Sequence, residues 1–223
     1  MHLHLFSDLP TNEPRKEIAM KLYYSPGACS LSPHIALLEA GMPFDLVKVD
    51  LKAKKLENGD DYLKVNPKGQ VPALDIGNGE LLTEGPVIVQ MIADKAAGKN
   101  LAPANGSTER YKLQEWLNFI TAELHKNFGP LFSPVLADDA KAFFKDRVMG
   151  KFKYVDGALA GHDYLMGKQF TVADGYLFTM LNWAERMKFD LSTMPNLLAY
   201  KARVTARPKV QEALTKEGLM KAA

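Results

Sequence analysis

The chain has 223 residues, 47% of them apolar and 24% charged, and a net charge of +2 from 28 basic and 26 acidic side chains. That length allows one or two domains and burial of roughly 70% of the unfolded surface without disulfides or metals, and the balanced composition excludes wholesale disorder. The small net charge excludes nucleic-acid binding by bulk charge, the single cysteine excludes a disulfide framework or cysteine-cluster metal site, and no apolar run approaches the roughly 18 residues of a membrane span.

Residues 1–19 (MHLHLFSDLPTNEPRKEIA) carry two prolines, no basic leader and no signal-length apolar stretch. They read as a poorly ordered extension ahead of Met20. His2 and His4, two residues apart, read as solvated tail residues rather than metal ligands. Lys21–Ser25 reads as a short strand ended by the turn Pro26-Gly27. Leu31–Ala40 follows as a helix, with Ser30 or Ser32 as its cap, Pro33 in its first turn and Gly41 as its stop. Val47, Val49 and Leu51 alternate with charged residues, as in a half-buried strand. Residues 52–63 read as a loop with a short helix. Val71–Ile76 and Glu80–Leu82 flank Gly77-Asn78-Gly79, a hairpin signal. A helix then opens at Thr83 or Glu84, with Pro86 in its first turn. This β-α-β-α-β-β-α order predicts a small mixed sheet with helices over residues 20–97.

Residues 98–107 (GKNLAPANGS) read as a linker, and 108–223 as all helical. In Tyr111–Phe128 the residues Leu113, Trp116, Leu117, Ile120, Leu124 and Phe128 form one apolar stripe. Asn118, Ala122 and His125 form a second stripe, which suits either a close ligand or subunit contact or plain solvent exposure. Phe144, Val148, Phe152, Val155 and Leu159 mark another helix, and Pro195 and Pro208 each open one more. Phe170-Thr171-Val172-Ala173-Asp174 reads as a capping box that serves folding.

Three places in the first part suit chemistry. Tyr24-Ser25-Pro26-Gly27-Ala28-Cys29-Ser30 is a strand–turn–helix junction. A cysteine there faces unpaired N–H groups and the positive end of the helix dipole, which favour a thiolate nucleophile, and the Tyr24 and Ser30 hydroxyls can donate to it. The competing reading is a small buried hydrophobe. No second cysteine is near enough for an internal dithiol. In Asn66–Leu74, Pro72 stands where a strand begins. A cis bond there leaves the Val71 backbone free to pair with an extended ligand, the alternative being a plain loop. In Leu82-Thr83-Glu84-Gly85-Pro86, a carboxylate beside a helix N-terminus suits an α-amino-acid head group, the alternative being a simple cap.

YYSPGACS, DDYLKVNPKGQVPAL, LLTEG, EWLNFITAELHK and FTVADGYLF, in this order, resemble a glutathione S-transferase. Cys29 within PGACS resembles the bacterial beta class, and the similarity spans about residues 20–219. The resemblance implies a thioredoxin-like α/β N-terminal domain, an all-α helical C-terminal domain and a cytoplasmic homodimer in detoxification. It also implies glutathione as co-substrate, no metal, and conjugation of small hydrophobic electrophiles. It matches Cys29 to the cysteine that contacts the glutathione sulfur and forms a mixed disulfide with it, and Val71 to the residue whose backbone pairs with the cysteinyl unit. Glu84 and Gly85 match the pair that holds the γ-glutamyl head, and Lys54 a lysine near the glycyl carboxylate. Asn118 and Glu123 to His125 match second-domain residues lining the site, some reaching a neighbouring subunit. Gly85 departs from the serine common in the wider family. Two rival readings are a glutathione-dependent disulfide reductase and a non-catalytic carrier of hydrophobic ligands.

Overall fold

The computed structural model describes residues 20–77 and 79–221, so the extension 1–19 and the centre of the Gly77-Asn78-Gly79 turn lie outside the described residues. Strand β1 (Met20–Tyr24) pairs parallel with β2 (Phe44–Asp50), in a register that sets Leu22 beside Leu46. Between them lies helix α1 (Leu31–Ala40), closed by Gly41 in the left-handed conformation at φ 68°. The sheet continues through β3 (Lys55–Leu56), β4 (Ala73–Asp75) and β5 (Leu81–Thr83) in the order β3-β2-β1-β4-β5. β4 runs antiparallel to β1 and β5, so the predicted hairpin pairing is present, with a first strand shorter than the apolar pattern suggests and a second displaced by one residue. Helix α2 (Gly85–Lys95) follows.

The remainder is helical. Helix α3 (Thr108–Phe119) runs into a π-helical segment, Ile120–His125, then a short α4 (Lys126–Phe128). The single helix expected over Tyr111–Phe128 therefore has a wider turn in its second half. Apolar spacing does not reveal this, because Ile120, Leu124 and Phe128 are all fully buried across it. Helices α5 (Asp138–Ala158), α6 (Val172–Arg186), α7 (Pro195–Thr205) and α8 (Pro208–Lys216) follow, and short 3-10 turns lie at Tyr62–Lys64, Ala97–Lys99 and Gly129–Phe132.

One core unites both parts, because α1 packs on α2, α6 and α8. α6 is its axis and is buried along nearly its whole length. Its capping box forms: the Thr171 N–H and hydroxyl donate to Asp174 Oδ2 at 2.7 and 2.9 Å. The buried Asp174 also accepts from the Leu165 N–H and the Tyr200 hydroxyl. Burial raises its pKa against those bonds. Arg110 forks onto Asp94 to join α3 to α2, and Arg207 forks onto Glu39 to join α8 to α1.

Candidate active site

A cavity of about 550 Å³ opens between the sheet end and the helical part. Each of the three chemical places in the first part reaches it, through Cys29, Val71-Pro72 and Glu84-Gly85, and Lys54 lines it as well. Cys29 sits at the turn before α1, and its thiol donates to the Val71 carbonyl at 3.1 Å. The Val71–Pro72 peptide is cis. Lys54 donates to the Gly69 carbonyl at 2.7 Å. Glu84 holds φ at 70°, a left-handed conformation that few non-glycine residues adopt, immediately before α2. Its carboxylate accepts from the Lys68 ammonium at 2.7 Å, and the same ammonium reaches the Thr83 hydroxyl.

The acidic thiol expected at the junction is absent from this geometry. The N–H groups of Cys29 and Ser30 do pull the thiol pKa down, but burial outweighs them and pushes it up to about 12. The hydroxyls proposed as donors lie elsewhere. Tyr24 is buried, its ring packed 6.3 Å from that of His34, and burial raises its pKa. Ser30 is fully buried; its hydroxyl accepts from the Ser25 N–H at 3.2 Å and donates to the Ser25 carbonyl at 3.3 Å. It closes the Cys29 turn and is not in the cavity wall. Neither Ser30 nor Ser32 caps α1 with its side chain.

From the helical part only one of the three expected residues lines the cavity. His125 does; its Nδ1 lies 2.6 Å from the Tyr176 hydroxyl. Burial, helped by the charge of Lys126, lowers its pKa to about 4, so the ring is neutral at pH 7. Asn118 is exposed on α3, and Glu123 faces away to pair with Lys151 at 2.7 Å. The wider π turn separates the two ends of the predicted stripe.

A second buried network holds the Cys29 turn from behind. Glu217 accepts from the Gly27 N–H and pairs with His34 Nδ1, both at 2.8 Å, and the Trp183 indole N–H donates to the Gly27 carbonyl at 2.8 Å. Gly27 has φ 68°, a backbone conformation that favours glycine, and a Cβ there would meet the tip of the Arg186 guanidinium at 2.7 Å, which would have to swing aside.

Two family models match, described as the glutathione S-transferase N-terminal domain over residues 27–95 and the glutathione S-transferase C-terminal domain over residues 123–217. The glutathione S-transferase GstA of Escherichia coli O157:H7 is 50% identical over 200 residues, which is 90% of this chain and 100% of that one. The chain belongs to the glutathione S-transferase family. Among solved structures, a sphingomonad glutathione S-transferase complexed with glutathione superposes with a TM-score of 0.86 at 48% identity, over 90% of this chain and 100% of that one. A bacterial beta-class glutathione S-transferase from Sphingomonas chungbukensis does so at 0.87 and 49%, with the same coverage. The fold is accordingly thioredoxin-like followed by helical, and the chemistry of this transferase is glutathione conjugation.

Several residues of the transferase's cavity were not singled out from sequence as site residues. Tyr176 and Trp183 sit inside the α6 run that reads as core, and Phe132 and Arg186 carry no local motif. Lys68 lies within the recognised loop, but its pairing with Glu84 depends on the fold. No described group of His, Cys, Asp and Glu side chains could hold a metal ion, and no described helix is long and apolar enough to cross a membrane.

Proposed function

We propose that glutathione lies along the sheet side of the cavity. Glu84 pairs with its γ-glutamyl ammonium, and the N–H groups opening α2 at Gly85 take the neighbouring carboxylate. The Val71 backbone pairs with the cysteinyl unit, and Lys54 takes the glycyl carboxylate. One observation carries this reading: Cys29, Lys54, Val71, Glu84 and Gly85, far apart in sequence, line a single cavity. In this reading residues 20–97 bind glutathione, 98–107 link, and 108–223 supply the electrophile side and the contacts of a cytoplasmic homodimer.

In conjugation the glutathione thiol gives up its proton. Its sulfur then forms a bond to the electrophilic carbon, and the leaving group departs with its electron pair. Stabilising the thiolate raises the population of the nucleophile at neutral pH. Cys29, kept neutral by burial, acts as a thiol donor to that sulfur, while Ser30 positions it through the Ser25 turn and Tyr24 supports the core behind it. A second, slower chemistry is disulfide exchange. The Cys29 sulfur attacks a glutathionyl disulfide, forming Cys29–S–S–glutathione and releasing the other thiol, and a further glutathione regenerates Cys29 and leaves as oxidised glutathione.

Cys29→Ala separates the two. The variant should no longer gain the mass of glutathione after incubation with oxidised glutathione, and reductase turnover should largely vanish, while conjugation falls much less. Conjugation lost as completely as reduction would refute the donor role. Wild-type protein that gains no glutathione mass would refute the exchange chemistry.

A further inference from the structure

We propose that the helical side of the cavity selects flat aromatic electrophiles bearing a carboxylate, held between the Trp183 and Phe132 rings and the cations Lys126 and Arg186. The proposal rests on the glutathione reading above and names the electrophile class for that same site.

Charge is divided within the cavity. Its walls carry four cations, Lys54, Lys68, Lys126 and Arg186, against a single carboxylate, Glu84. Lys54 is bound to the Gly69 carbonyl and Lys68 to Glu84, both on the sheet side. Lys126 and Arg186 form no ion pair or hydrogen bond among the described residues. Both come from the helical side, one just after His125 and the other at the end of α6. The Arg186 guanidinium lies against the turn at Gly27, two residues before Cys29, because the missing side chain leaves it room. Glutathione does not need these two cations in the pose proposed, since its carboxylates go to the start of α2 and to Lys54. A cleft that keeps unpaired cations of one sign between low-dielectric walls raises the local concentration of anions.

An aromatic wall lines the same cavity. Trp183 is 6% exposed and its indole is pinned by the bond to the Gly27 carbonyl. Phe132 stands edge-on to it at 5.0 Å, 55% exposed at the rim, and the His125 ring stands edge-on from the other side at 5.0 Å. Trp183, flanked also by Phe128 at 5.6 Å, is nearly covered, so a flat ring meets chiefly the exposed Phe132 face. A neutral aromatic uses the wall alone, whereas an aromatic carboxylate uses the wall and the cations together. The chemistry remains displacement at a ring carbon by the glutathione sulfur, with halide leaving.

The test compares 4-chloro-3-nitrobenzoate with its methyl ester, each rate divided by that with glutathione alone. Wild type should prefer the carboxylate, and raising the salt to about 0.5 M should shrink the preference. Arg186→Met and Lys126→Met should each lower the carboxylate-to-ester ratio of kcat/KM by about fivefold, the upper end for an exposed ion pair. Equal loss on both probes, or a wild-type ratio of one, would overturn the proposal and place these cations with glutathione or its thiolate. An ester left unconverted while the carboxylate reacts would support it. Failure of the glutathione reading looks different: glutathione KM would then ignore changes at Glu84, whatever the ratio does.

Discussion

Glu217→Ala strikes the Cys29 turn without touching the cavity wall. The carboxylate is fully buried and makes two bonds of 2.8 Å, accepting from the Gly27 N–H with one oxygen and pairing with His34 Nδ1 through the other. Truncation leaves a backbone donor and an imidazole nitrogen without a partner. His34 Nε2 already has no partner, so the ring cannot turn to recover the loss nearby. Orphaning one buried polar group costs about 1–3 kcal/mol, and the truncation orphans two. Taking about 3–5 kcal/mol for the set, and about 2–4 °C per kcal/mol for a chain of this size, the unfolding midpoint should fall by about 6–20 °C. Thermal unfolding followed by circular dichroism at pH 7 reads this directly. Glu217→Gln keeps one acceptor and should fall between the two. Because Gly27 lines the cavity, glutathione KM should rise in the alanine variant as well. A midpoint within about 2 °C of wild type would show that this network contributes less than about 1 kcal/mol, and the reasoning would fail.

Two further outcomes follow from the same geometry. Glu84→Ala should raise glutathione KM by about tenfold, the low end for a charge-assisted contact because this carboxylate is well exposed, and steady-state kinetics showing an unchanged KM would refute its pairing with the ammonium. His125 has its pKa depressed to about 4, so its contribution to stability is present above the unfolded pKa near 6.5 and is lost as pH falls through 4. The contribution is at most about 3 kcal/mol, and a His125→Asn variant should show a flatter decline of midpoint between about pH 7 and pH 5 than wild type.

Local chemistry announces much of this protein. Gly41 after α1, the Thr171–Asp174 box, and the prolines opening α7 and α8 each act within a few residues, and each stands where the pattern places it. The cavity residues Cys29, Val71, Glu84 and Gly85 were legible because each belongs to a short motif. Three matters were not. The pKa of Cys29 depends on how much protein covers the sulfur, and a helix-terminus argument supplies only the opposing, smaller effect. Ser30 reaches back to Ser25 instead of forward to the thiol, a choice set by turn geometry. The Glu217–Gly27 clamp joins residues 190 apart, beyond any local signal.

The π-helical turn at Ile120–His125 bears on how the sequence tolerates change. Such a turn accommodates one residue more than an α-helix would, while the helices on either side keep their packing. The buried Leu117 lies before it and Phe128 after it, while Thr121 and His125, four residues apart, both face the cavity from within it. Removing the exposed Ala122 would let the segment tighten into ordinary helix. The chain would fold much as before with those two side chains three residues apart instead of four, so a single-codon deletion here changes their spacing in the cavity while keeping the imidazole, which no substitution at His125 can do.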